Sequence, residues 1–162
     1  MNAIKLLTED HRTVEDLFAK FENARGAAAK QKLVHRICTE LKIHTSLEEE
    51  IFYPALEGKI DGDLLKEAIV EHDGAKVLIN DLEAATADET YYDAKVKVLS
   101  EEIEHHVKEE EKQRDSMFAQ ARKADIDLDA LGERMAARKA ELTAQAEAAG
   151  LPEAALTAID ER

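Results

Sequence analysis

Residues 33–55, LVHRICTELKIHTSLEEEIFYPA, carry an apolar stripe at helical spacing that a histidine and a glutamate interrupt. An α-helix turns about 100° per residue, so positions three and four apart lie on one face. On this face the sequence places Leu33, Ile37, Leu41, His44, Glu48, Ile51 and Ala55. The stretch therefore predicts a core-facing helix whose buried side contains a polar pair four residues apart.

Three further segments repeat this pattern of an apolar stripe interrupted by histidine. The interrupting residues are His11, His72 and His106, and Glu110 follows His106 by four positions. Breaks rich in glycine or capping residues separate helices that we predict over about 2–24, 29–57, 63–86, 90–123 and 128–149. A short last helix is expected after Pro152, a residue that suits a first helical turn.

Long helices with short connections predict an all-α fold. We expect an up-down-up-down four-helix bundle over residues 1–123, followed by a C-terminal helical extension over residues 124–162. The extension carries one narrow apolar stripe, formed by Leu128, Leu131, Met135, Leu142, Ala146 and Ala149. Such a stripe is typical of a helix that packs against a bundle or against another subunit, so self-association through this helix is one of two alternatives.

Composition excludes several classes of protein. The chain has 162 residues, with 22 lysines and arginines against 36 aspartates and glutamates, and a net charge of −14. That charge repels phosphate backbones and anionic lipids, so we expect no nucleic-acid partner and no membrane partner. No run approaches the roughly 18 apolar residues of a membrane span. Cys38 is the one cysteine, which excludes an internal disulfide, and we expect a cytoplasmic protein.

Four histidines and two glutamates on buried faces are costly unless a cation accompanies them. A buried carboxylate without a partner loses several kcal/mol of solvation or takes up a proton. Lys76 is the only cation on these faces, and beside metal ions we expect it to point outward or lose its proton. A divalent metal would supply the missing charge, and imidazole together with carboxylate suits iron, manganese or zinc. The sequence therefore predicts two ions with the carboxylates between them.

Other interpretations of these residues stay open at this point. Each histidine could instead be a hydrogen-bonded core residue of a bundle that holds no metal. The segment HHVKEEE permits two registers, His105 with Glu109 or His106 with Glu110, and the apolar stripe of this helix favours the second. We interpret the remaining polar residues as solvated or peripheral, namely His35, Glu49, Glu50, Tyr53, Glu109 and Glu111.

The order of these residues resembles a known family. The segments EDHRTVEDLF, HTSLEEEIFYP, VEHD and HHVKEEE are similar to the hemerythrin-like HHE cation-binding domain, over about residues 1–123. The resemblance implies a four-helix bundle around two non-haem iron ions with an oxo or hydroxo bridge. It implies as iron ligands His11, His44, His72 and His106, with Glu48 and Glu110 bridging the two ions.

The same resemblance implies a protein that binds or senses O2, peroxide or nitric oxide, or that handles iron. Oxygen-carrying members have a second histidine four residues after the helix-three histidine, where this chain has Lys76. One histidine fewer leaves an open position, which favours redox chemistry or sensing over reversible O2 carriage. Catalysis is expected to be at most weak turnover of peroxide or O2. The alternative is a metal- or redox-responsive interaction module without catalytic activity.

Overall fold

The computed structural model describes residues 1–160, which form helices joined by short turns. The helices are α1 (Ala3–Asn23), α2 (Ala27–Leu47), α3 (Tyr53–Leu56), α4 (Gly62–Ala84), α5 (Tyr92–Glu111), α6 (Met117–Lys123) and α7 (Leu128–Ala149). A π-helical turn, Glu48–Phe52, joins α2 to α3, so these two form one long rod. No strand occurs within residues 1–160, and the all-α prediction is confirmed.

Four rods make up the bundle, namely α1, α2 with α3, α4 and α5. Each rod packs against the next one in the chain, and α5 returns to contact α1, which closes the bundle. Short connections make consecutive helices antiparallel neighbours, as in an up-down-up-down bundle. The four-helix arrangement therefore brings the four interrupted stripes to face one another.

The buried apolar side chains form two clusters instead of one continuous core. One cluster joins the start of α1 to the π turn, α3, α6 and α7, and includes Leu7, Phe52 and Met135. The other joins the second half of α1 to the first halves of α2 and α5, and includes Ile37 and Leu99. The polar positions of the four stripes occupy the layer between the two clusters.

The predicted helix over residues 90–123 is wrong at its C-terminal end. The α-helix stops at Glu111, and a turn precedes the separate helix α6. The Ser116 hydroxyl caps α6 by accepting a hydrogen bond from the Ala119 N–H at 3.2 Å. The turn folds the chain back, so that Met117 and Phe118 are buried on the bundle. The break after Glu111 is therefore what lets these two side chains be buried.

The short helix expected after Pro152 does not form. Gly150, at a φ of 77°, ends α7 in a conformation that glycine adopts without strain. Residues 151–160 then run without regular structure. Backbone N–H groups at positions 157–159 donate to the carboxylate of Asp73 on α4 instead of to helical carbonyls. Tertiary hydrogen bonds therefore replace the helical ones in this segment.

Helix α7 packs along α1 and α2 and crosses the chain's N-terminus at Gly132. An ideal Cβ at this position would lie 2.2 Å from the carbonyl oxygen of Met1 and 2.8 Å from the amide nitrogen of Ala3. These are backbone atoms, which cannot swing aside as a long side chain can. The close approach of α7 to α1 therefore requires glycine. None of the helices within residues 1–160 has the length and apolarity needed to cross a membrane.

We expect Gly132→Ala to destabilise the protein by about 1–3 kcal/mol, because the added methyl group forces the two backbones apart. Urea unfolding followed by circular dichroism measures the change. Gly74→Ala is the matched control, since the nearest atom to its ideal Cβ is a flexible carboxylate oxygen 3.9 Å away. The control should be neutral or more stable than wild type, because alanine favours a helix interior. Equal unfolding midpoints for both variants would contradict the close approach.

Candidate metal centre

All six residues expected to bind metal meet in the layer between the two apolar clusters. Each is at most 5% exposed. They are His11 from α1, His44 from α2, Glu48 from the π turn, His72 from α4, and His106 and Glu110 from α5. The Nε2 atoms of His11 and His44 lie 3.1 Å apart, and those of His72 and His106 lie 3.2 Å apart. The rings thus form two pairs that point at the centre of the bundle.

Glu48 lies between the two histidine pairs. Its Oε1 atom is 3.0 Å from Nε2 of His44 and 3.2 Å from Nε2 of His72. The carboxylate therefore contacts one ring of each pair. It arises from the π turn, directly after the helical segment that carries His44.

Glu110 spans the same gap from the other side, with one oxygen towards each pair. Its Oε1 is 3.2 Å from Nε2 of His11, and its Oε2 is 3.4 Å from Nε2 of His106. The donor atoms form two compact groups of three, His11 with His44 and Glu110, and Glu48 with His72 and His106. Each group has the size of one ion's coordination sphere, and each carboxylate reaches both groups.

A ring of four outer carboxylates surrounds the histidines. Every Nδ1 atom faces one carboxylate: His44 faces Asp10 at 3.1 Å, His72 faces Glu49 at 2.8 Å, His106 faces Glu71 at 2.9 Å, and His11 faces Glu111. A carboxylate accepts hydrogen bonds, so this network assigns a proton to each Nδ1. The Nε2 atoms then direct lone pairs to the centre, as metal-binding histidines do.

Three of the four oxygens of the central carboxylates lack donors within residues 1–160. Both oxygens of Glu48 and the Oε1 of Glu110 have no hydrogen-bond partner among residues 1–160. Histidine nitrogens lie within 3.2 Å of these atoms, but with the proton on Nδ1 they offer a second lone pair. Acceptors facing acceptors in a buried layer repel one another. A cation between them removes the repulsion, so the donor set fits a divalent metal.

Protons can take the place of that cation. Burial alone would lower the pKa of His44, but the charge of Glu48 and the hydrogen bond to Asp10 outweigh it and raise the pKa to about 10. Burial alone would raise the pKa of Glu48. The charge of His44 and the polar side chains beside the carboxylate together outweigh burial and lower the pKa well below 4.5. Metal and protons therefore compete for the same side chains.

Tyr53 is a member of the centre that the sequence analysis placed at its periphery. Its side chain is 2% exposed, and its hydroxyl donates to Oε2 of Glu110 at 2.9 Å. The hydroxyl oxygen of Tyr53 also lies 3.2 Å from Nε2 of His72 and 3.3 Å from Nε2 of His106. Burial, with the charges of Glu110 and Glu48, raises the pKa of the phenol well above 10. The hydroxyl is therefore neutral unless a cation replaces its proton.

The π turn explains why helical periodicity missed Tyr53. In a regular α-helix a residue five positions after Glu48 lies about 140° around the axis from it. Here the Tyr53 N–H donates to the carbonyl of Glu48, five residues back, which widens the turn. Tyr53 thereby returns to the face of the helix that carries Glu48.

Lys76 points away from the six central residues but stays buried, at 5% exposed. Its Nζ atom contacts Oε2 of Glu49 at 2.9 Å and Oδ1 of Asp73 at 3.4 Å. It also donates to the carbonyl of Ala155 at 2.9 Å. The amine is thus occupied by the outer ring and by the C-terminal segment.

The interpretation of Glu49 and Glu111 as solvated residues is wrong. Both carboxylates contact histidine rings of the centre, as outer-ring members. His35 is exposed, and His105 is 62% exposed, in a separate surface group with Glu71 and Glu109. The register of HHVKEEE therefore turns His106 and Glu110 inward. Asp10 and Glu71, the other two outer carboxylates, each precede a stripe histidine by one residue. Each also lies three positions after a buried apolar residue, so helical spacing could have identified both.

Apolar side chains enclose the layer. A cavity of about 20 Å³ adjoins the histidines and is lined by Val14, Leu41, Ala75, Ile79, Ile103 and Val107. On the other side, the ring of Phe118 lies parallel to that of His11, with the ring centres 6.0 Å apart. The ring of Phe52 packs edge-on against Phe118. A volume of this size holds about one water-sized molecule. The layer therefore admits a small ligand and leaves no room for an organic substrate.

Comparison with known proteins agrees with this geometry. Residues 2–114 match the family described as "Hemerythrin HHE cation binding domain". A solved structure, that of the Hemerythrin HHE cation binding domain-containing protein from Mycobacterium kansasii that is an Rv2633c homolog, superposes with a TM-score of 0.78. It is 26% identical, and the match covers 93% of this chain and 95% of that one.

A second relative is a much longer protein, the DNA nickase of Nostoc sp. (strain PCC 7120 / SAG 25.82 / UTEX 2576). It is 25% identical over 111 residues, which are 68% of this chain and 32% of the nickase. The chain thus spans about a third of that relative's length. Because the family profile covers most of the chain and the fold agrees over nearly all of it, the chain belongs to the hemerythrin HHE cation-binding family.

Proposed function

We propose that this protein holds two non-haem iron ions and uses them to bind a small oxidant such as O2, peroxide or nitric oxide. The observation that supports this most strongly is that both oxygens of Glu48 and Oε1 of Glu110 are buried without a hydrogen-bond donor within residues 1–160, close to histidine Nε2 lone pairs. Mixed imidazole and carboxylate donors suit iron.

The proposal assigns three donors to each ion. His11, His44 and Glu110 would hold one ion, and His72, His106 and Glu48 the other. Each carboxylate also contacts a histidine of the opposite group, so both are suited to bridge the ions. A di-iron pair supplies electrons for binding or reducing a small oxidant. The chain's own part is to fix the Nε2 lone pairs and to exclude water.

Tyr53 extends this donor set at the second ion. Its oxygen lies within 3.3 Å of both Nε2 atoms of that group, while Lys76 turns away from it. A phenol that loses its proton to a metal becomes a hard anionic donor, which favours ferric iron. We therefore favour peroxide chemistry or redox sensing over reversible O2 carriage.

The cavity supports a small ligand. Its volume of about 20 Å³ and its apolar lining suit a diatomic molecule or peroxide. We do not propose nicking of DNA, because the chain matches a third of the nickase and carries a net charge of −14, which opposes binding to phosphates.

We expect wild-type protein from iron-replete cells to contain about two iron ions per chain, since the centre offers two donor groups. His106→Ala should lose at least half of this iron, because the ring supplies a central donor. Elemental analysis and the near-ultraviolet absorption of the oxidised protein measure the content.

His35→Ala is the control, because this histidine is exposed on α2 and lies outside the donor groups. It should keep its iron. Wild-type protein with less than one iron per chain after reconstitution would sink the di-iron proposal, and equal loss in both variants would mean that the ligands are misassigned.

Tyr53→Phe should retain most of its iron but lose visible absorption that arises from electron transfer between a phenolate and ferric iron. Tyr91→Phe, at a residue that is 69% exposed, is the control and should keep the spectrum of wild type. Identical visible spectra for wild type and Tyr53→Phe would show that the phenol stays protonated and outside the coordination sphere.

The stability of the metal-free protein should fall with rising pH. The pKa of His44 is about 10 in the folded chain and 6.5 without the fold, so its protonation stabilises the fold fully below about pH 6.5. This contribution is lost as the pH rises towards about 10. Urea midpoints of chelator-treated protein measure the fall, and the fall should be smaller in His44→Ala. A midpoint that rises over this range in wild type would contradict the assignment.

A further inference from the structure

The C-terminal extension reaches the outer ring of the centre at two points. We use this term for α7 together with the C-terminal strap, residues 151–160. Helix α7 contacts Asp10, and the strap contacts Glu49. These two carboxylates are the ones that hold His44 and His72.

The first contact runs through Lys139 of α7. Its Nζ atom donates to Oδ1 of Asp10, whose other oxygen accepts the Nδ1 proton of His44 at 3.1 Å. Asp10 is 5% exposed, so the lysine charge offsets much of the cost of burying this carboxylate. Lys139 thereby fixes the acceptor that orients the His44 ring.

The second contact runs through Thr157 of the strap. Its hydroxyl donates to Oε1 of Glu49, and Lys76 binds the same carboxylate while donating to the strap carbonyl of Ala155. Glu49 accepts the Nδ1 proton of His72 at 2.8 Å. Strap, lysine and carboxylate thus form one network behind the His72 ring.

Side-chain hydrogen bonds from α4 hold the backbone of the strap. Asp73, which is fully buried, accepts the N–H groups of Thr157 at 2.9 Å and of Ala158 and Ile159 at 2.7 Å each. Asn80 exchanges two hydrogen bonds of 2.9 Å with the backbone of Ala154. Because the buried carboxylate of Asp73 accepts three backbone N–H groups, it fixes the strap at one position on α4.

The remaining two histidines are oriented by the bundle itself. His11 uses Glu111, which Arg12 contacts, and His106 uses Glu71 of α4. His11 and His44 belong to one donor group, and His72 and His106 to the other. Each group therefore has one ring fixed by the bundle and one ring fixed with the help of the C-terminal extension.

We propose that the C-terminal extension is a positioning element of the metal centre, and that docking of the strap and retention of metal are coupled. The inference rests on the proposed function, because it requires that the six central residues hold metal. Lys139 and Thr157 act through Asp10 and Glu49 and touch no central donor atom within residues 1–160. Coupling of two binding events is reciprocal, so bound metal in turn stabilises the docked strap.

The test measures loss of iron to a colorimetric ferrous chelator from reduced, iron-loaded protein. Lys139→Met and Thr157→Val should each release iron roughly 10-fold faster than wild type, the low end of the effect of outer partners on metal sites. Arg138→Met is the matched control, because Arg138 is the neighbouring cation on α7 and pairs with Glu50 and Glu141. It should release iron at the wild-type rate.

A second measurement reads the coupling from the strap. Amide hydrogen exchange at residues 157–159 should be at least about threefold slower in iron-loaded wild type than in metal-free wild type. Helicity and urea midpoints of the metal-free variants check that they fold as wild type does. Equal exchange in the two forms would overturn the coupling.

The outcomes separate the two proposals. Wild-type protein that holds no iron after reconstitution removes the proposed function and this inference with it. Wild-type protein that holds iron, with release from Lys139→Met and Thr157→Val as slow as from Arg138→Met, removes the inference alone. Faster release from both variants, with the control unchanged, supports the extension as a positioning element.

Discussion

The structure is organised around two carboxylates buried between four lone-pair-bearing rings. Glu48 and Glu110 are at most 1% exposed and interrupt what would otherwise be a continuous apolar core. The two apolar clusters on either side of this layer form the rest of the buried core. The outer carboxylates then fix which nitrogen of each imidazole carries the proton. The orientation of the four imidazole rings, the division of the apolar core into two clusters and the excess of carboxylates at the centre all follow from this polar layer.

The inner residues could be predicted from the sequence because helical periodicity alone decides which side chains face inward. His44 and Glu48 lie on the same stripe as Leu41 and Ile51, and burial of the stripe buries them too. The same logic gave the inward register of His106. It holds because α2 is regular up to Leu47, directly before Glu48, and α5 is regular throughout.

The contacts of the outer residues could not be predicted in this way. Whether Glu49 bonds to an imidazole or to water depends on where α4 lies relative to the π turn, which is a property of tertiary packing. Asp10 faces a lysine that is distant in sequence, Lys139, and Tyr53 is displaced by an irregular turn. The break after Glu111 and the path of the strap likewise depend on burial and on side-chain acceptors elsewhere, beyond what local propensity contains.

The π turn has a consequence for how readily the donor set can change in evolution. Glu48 and Tyr53 share a face only because the helix between them is overlong by part of a turn. Deleting one residue from this interval would place Tyr53 four residues after Glu48, about 40° around a regular helix, so the phenol would keep its face. Straightening the turn without a deletion would instead rotate Tyr53 to about 140° from Glu48 and remove the phenol from the centre.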